Sequence, residues 1–126
     1  CKEQRLKALI TVCADPGDWD KTLELVNKYK GFVFACASVH PIYIDRTTSE
    51  QVEEYFKKLR DNRDVLVAIG ETGADYFHTR EADLQMKQRE LFRRHIKLAR
   101  ELDKPIVVHC RDAFADVIDI LENEGA

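Results

Sequence analysis

Short apolar runs alternate along the chain with longer stretches whose apolar residues recur at helical spacing. The runs at about 7–14, 32–39, 65–70 and 106–110 are rich in β-branched residues and read as strands. Their near-continuous apolar character suits strands covered on both faces. Between them, residues 19–30 place Leu23, Val26 and Tyr29 on one side of a helix that Gly31 stops. A second helix starts at a Thr48 or Ser49 cap and reaches about Arg60, with Val52, Tyr55, Phe56 and Leu59 on its buried stripe. Residues 71–80 read as a loop. The longest helix follows, about Glu81 to Leu102, with a stripe of Leu84, Gln88, Leu91, Phe92, His95, Leu98, Ala99 and Leu102. Residues 113–124 form a last helix ending at Gly125. Strand then helix, four times over, predicts an α/β fold with a parallel sheet and right-handed crossovers. No linker, low-complexity tract or heptad pattern interrupts it.

Chemistry-bearing residues fall at the ends of these strands. Glu71 closes the third apolar run, His109 lies in the fourth, and His40 follows the second, just before Pro41. Alternation along a strand puts Val67, Ile69 and Glu71 on one face, and Val107 with His109 on the corresponding face. Leu66, Ala68, Val108 and Cys110 are then expected against the helices. If the sheet curls into a barrel, Glu71, His40 and His109 meet at its C-terminal rim, where (β/α)8 barrels carry their active sites. A carboxylate with imidazoles is a metal-ligating set, and points to a hydrolase. His95, mid-helix on an apolar stripe, is expected to be structural. His78 is expected to face solvent from a polar loop. The run Lys87, Arg89, Arg93, Arg94, Lys97 and Arg100, mixed with Glu90 and Glu101, reads as a solvated helix face.

Composition narrows the class. With 126 residues, 44% of them hydrophobic, and a net charge of −3, the chain is globular and is not a basic, DNA-coating protein. No apolar run approaches the ~18–20 residues of a membrane span. The charged start, CKEQRLK, is not a signal peptide. It lacks a methionine and leads straight into a strand, so an upstream segment is expected to have been removed. The four cysteines form no CxxC pair. Cys13, Cys36 and Cys110 are expected to be free, buried small hydrophobes in a reduced, cytoplasmic setting.

Three motifs then carry a family resemblance. GETGADYF resembles the GEIGLDY-type motif, KPIVVHCRDA the PVIIHSRDA-type motif, and SVHP the GxHPH-type motif of TatD-like metal-dependent deoxyribonucleases. QMKQRELFRRHIKLARELDKP also looks like that family's long helix. The resemblance spans essentially the whole chain. It implies a TIM-barrel fold with one or two divalent metals, magnesium first and manganese or zinc as alternatives. By that likeness Glu71 and His109 are metal ligands, with Glu71 a candidate bridge. His40 is similar to a pocket histidine near substrate, and Asp75 and Arg111 to residues that support the site and contact phosphate. Glu71, His40 and Asp75 are thus the candidate catalytic set, and Arg111 with His40 the candidate substrate contacts. The implied chemistry is in-line attack of a metal-activated water on a DNA phosphodiester. The chain departs from the pattern at Ser38, Ile42 and Ala74. The paired histidines of the family's first strand are missing, as are a later histidine and aspartate. Residues 1–126 therefore read as about half of a (β/α)8 barrel, strands two to five.

Two further functions fit the same residues. One is a metal-dependent hydrolase of another ester or an amide. The other is a non-catalytic half-barrel, an assembly or binding module; without the missing ligands, the chain alone is expected to be inactive. Open sheet edges make self-association an expected property, and no membrane partner is expected.

Overall fold

The computed structural model describes residues 2–126, so Cys1 lies outside the described residues. Four strands alternate with four helices: β1 (Leu9–Cys13), α1 (Trp19–Lys28), β2 (Val33–Ala37), α2 (Ser49–Asp61), β3 (Leu66–Asp75), α3 (Ala82–Leu102), β4 (Ile106–Arg111) and α4 (Phe114–Glu124). The sheet order is β1-β2-β3-β4, every pair parallel. This is the sheet the alternating pattern predicts.

Local chemistry sets the helix ends. Thr48 Oγ1 accepts from the Gln51 N–H while the Gln51 side chain accepts from the Thr48 N–H, a reciprocal cap that starts α2. Helix α1 stops at Lys28, one turn before Gly31, so it buries Trp19, Thr22 and Val26 and leaves the expected Tyr29 exposed. Helix α3 buries its expected stripe from Gln88 to Leu102, adding Ile96, while Leu84 is half-buried.

The core lies between the sheet and the helices. Leu66 and Ile69 pack with Val52, Phe56, Leu59, Leu98 and Leu102 in one cluster, and Ala74, Phe92, Ile96, Val117 and Ile120 form a second under α4. The opposite face carries Ile10, Val12 and Val107, which are exposed.

Strand β3 corrects the sequence reading twice. It continues through Asp75, so Glu71–Asp75 is strand rather than loop. Its side chains also do not alternate as expected. Register shifts leave Val67 without a partner on β2 and Glu71 without one on β4. Each extra residue resets the alternation. Ile69 therefore pairs with Ala37 and Ile106 on the helix side, and Ala68 pairs with Cys36 on the other. Cys110 is a further correction. It lies on edge strand β4, where α4 packs over Val108 but leaves the Cys110 thiol exposed. Cys13 and Cys36 are buried and free as expected.

Candidate metal centre

Two backbone features bring the third and fourth strands' polar groups together. Gly73 lies opposite His109, and a Cβ on it would sit 2.0 Å from the His109 carbonyl oxygen. Only glycine allows that approach, at a φ of 147° that side chains disfavour. The shift at Glu71 then aims its carboxylate toward β4 and the end of β2. Ser38 Oγ donates to the Glu71 carbonyl at 2.6 Å, which explains the use of serine at this departure from the family pattern.

Glu71 Oε1 is 3.3 Å from His109 Nδ1, and Glu71 Oε2 is 3.9 Å from His40 Nε2. The three side chains offer ligand atoms that all lie within 4.8 Å of one another. Asp75 stands behind them, almost wholly buried. Its Oδ2 is 2.8 Å from His109 Nε2 and 2.9 Å from His78 Nδ1, and its Oδ1 accepts from the His78 N–H at 2.8 Å. Burial alone would raise the Asp75 carboxyl, but the hydrogen bonds from His78 and His109 outweigh it and lower it to about 2. Asp75 is therefore an acceptor toward both rings.

These partners assign the protons. Because Asp75 is ionised, neutral His109 carries its proton on Nε2 and turns the Nδ1 lone pair toward Glu71. A lone pair 3.3 Å from a carboxylate oxygen is unfavourable unless a cation or proton sits between them. The arrangement is the carboxylate–histidine support found behind metal ligands, so the donor set fits a divalent cation. His40 differs. Its Nδ1 accepts from the Ile42 N–H at 3.3 Å, which leaves the proton of the neutral ring on Nε2, facing Glu71. Burial, then the neighbouring His109, holds His40 below its usual value despite the nearby carboxylates. His40 is a donor into the pocket.

Of the remaining expected residues, Arg111 is exposed at the end of β4 with its guanidinium 3.8 Å from the Phe77 ring centroid. His95 is fully buried and structural: Nδ1 donates to the Leu91 carbonyl and Nε2 accepts from the Val39 N–H. His78 faces solvent as expected; its tie to Asp75 is what the sequence does not signal. Its side chain remains 53% exposed, yet a turn three residues after Asp75 ties its ring to that carboxylate. Gln88, on the buried stripe of α3, has a structural task. Its Oε1 accepts from the Asp75 N–H, and its Nε2 donates to Thr79 Oγ1 and the Pro41 carbonyl, so it ties α3 to the ends of β2 and β3. A glutamine amid leucines was the available signal. Buried Cys36 donates to the Gly70 carbonyl; burial, with Glu71 adding, pushes its thiol up to about 11, so it stays protonated.

Comparison with known proteins identifies the fold and the family. A TatD family hydrolase from Entamoeba histolytica superposes with a TM-score of 0.82 at 26% identity, covering 95% of this chain and 42% of that one. A TatD homologue from Escherichia coli K12 shares the fold with a TM-score of 0.82 at 22% identity, over 94% and 45% of the two chains. The fold is thus that of a TatD-type (β/α) barrel, of which this chain forms a part. The "TatD related DNase" model matches residues 1–126, and the chain belongs to that family. An uncharacterized metal-dependent hydrolase of Buchnera aphidicola subsp. Acyrthosiphon pisum is 35% identical over 129 residues, 98% of this chain and 47% of the relative. The human protein named deoxyribonuclease TATDN3 is 32% identical over 134 residues, 99% of this chain and 48% of its own. The chain spans about half the length of these curated relatives. No helix among the described residues is long and apolar enough to cross a membrane.

Proposed function

We propose that the protein is a divalent-metal-dependent phosphodiesterase that acts on DNA, and that residues 1–126 supply one side of its site. The observation that carries this reading is His109 held between two carboxylates, Nδ1 3.3 Å from Glu71 Oε1 and Nε2 2.8 Å from Asp75 Oδ2. Glu71 and His109 hold the cation, magnesium first and manganese or zinc as alternatives. When bound, the cation polarises a phosphoryl oxygen and lowers the pKa of a bound water. The protein's own groups bind and orient. His40 Nε2–H donates to a substrate oxygen, Arg111 contacts phosphate from the rim, and Asp75 keeps His109 in its ligating tautomer. The human relative's name and the family description favour DNA over other phosphodiesters. This part contributes two ligands, so the remaining ones come from outside residues 1–126.

The test uses the protein as its native gene encodes it. DNA oligonucleotides, carboxylic esters, lactones and amides are assayed with magnesium, manganese or zinc and again after chelation. Metal-dependent release of nucleotides is expected. Turnover of carboxylic esters or amides with intact DNA would assign the site to the other hydrolase class.

A further inference from the structure

We propose that His78 is a catalytic residue, the general acid that protonates the leaving oxygen of the phosphodiester. This rests on the phosphodiesterase reading above and adds to it. The geometry is that of two imidazoles sharing one carboxylate oxygen: Asp75 Oδ2 lies 2.8 Å from His109 Nε2 and 2.9 Å from His78 Nδ1. Asp75 thereby sets the tautomers of both rings and gives them opposite tasks. His109 turns its other nitrogen inward to Glu71. His78, with its side chain 53% exposed, turns Nε2 away from Asp75 at the same rim. A histidine held through Nδ1 by a buried carboxylate, with Nε2 free, has the orientation that proton transfer to a substrate requires. The His78 backbone N–H also donates to Asp75 at 2.8 Å, so the ring is positioned through two bonds to one residue. The groups facing it are the Asp75 carboxylate, the Phe77 ring 5.0 Å away, and His40, close enough to interact with it electrostatically.

The step balances as follows. The water oxygen forms the new P–O bond and releases one proton to solvent. The P–O bond to the leaving group breaks with its electron pair on the leaving oxygen. The doubly protonated His78 ring gives its Nε2 proton to that oxygen and is left neutral with its remaining proton on Nδ1 toward Asp75, and solvent then returns a proton to Nε2.

A leaving group that needs no proton isolates this step. Thymidylyl-(3′→5′)-thymidine releases a nucleoside alcohol, whereas thymidine 5′-p-nitrophenyl phosphate releases a stable phenolate. His78→Ala and His78→Gln should each lower kcat on the dinucleotide by about 100-fold or more. Turnover of the nitrophenyl ester, and manganese binding measured by calorimetry, should stay within a few-fold of the parent. Equal losses on both esters, a loss confined to KM, or weakened manganese binding would overturn the assignment. A parent protein that cleaves neither ester in any metal would overturn the phosphodiesterase reading itself, and the assignment with it.

Discussion

His95 is a buried ring whose partners give it a structural role apart from the histidines of the candidate site. Both of its nitrogens are occupied, Nδ1 by the Leu91 carbonyl and Nε2 by the Val39 N–H, at zero exposure. Only the neutral ring can satisfy both partners, and burial lowers its pKa from 6.5 to about 4. The unfolded chain therefore binds a proton on this residue before the folded one does. Its contribution is fully present above pH ~6.5 and is lost as pH falls toward 4, by roughly 3 kcal/mol over that window. Urea unfolding of the native protein from pH 7 to 4 should show the loss. His95→Leu should flatten that limb while costing about 1–3 kcal/mol at neutral pH, because the Val39 N–H is left unpaired. An unchanged pH slope in the variant would place the acid sensitivity elsewhere.

At the scale of elements, β3 decides the geometry, and it was the least legible part of the sequence. The helices, their caps and the strand order follow from periodicity and from signals such as Thr48 and Gln51. Glu71 and His109 were legible because each is a polar residue carried by an apolar run. The bulges at Val67 and Glu71 were not, because register belongs to a pair of strands and no single strand encodes it. His78 was illegible for a related reason: its partner is chosen by a turn that exists only once β3 runs on to Asp75. Gly70 and Gly73 were the overlooked clue, two glycines bracketing the bulge that carries Glu71, where β4 passes closest. Gly73→Ala would press a Cβ into the His109 backbone, with no flexible side chain to yield. We expect it to destabilise the protein by about 2–4 kcal/mol, from overpacking and the disfavoured φ together. Metal affinity should fall with it, because β4 carries His109. Thermal unfolding and manganese titration of the variant check this. A stable variant with normal affinity would mean that the β3–β4 approach is not what sets the site.

At the scale of the whole molecule, the sheet is covered on one side only. Ile10, Val12 and Val107 are 58%, 53% and 45% exposed on the face away from the helices. β1 and β4 are both open edges. A closed barrel buries such a face and removes such edges. The 126-residue polypeptide on its own should therefore self-associate at micromolar concentration, and light scattering should report masses well above 14.6 kDa. A monodisperse monomer would show that the exposed face needs no cover.

Glu71 and His109 are expected to share one divalent cation. Anomalous diffraction from crystals of the native protein grown with manganese locates that ion directly. A peak is expected about 2.0–2.3 Å from a Glu71 carboxylate oxygen and from His109 Nδ1, abolished in Glu71→Gln. An ion bound elsewhere in the barrel, with Glu71 and His109 still facing each other and no density between them, would contradict it.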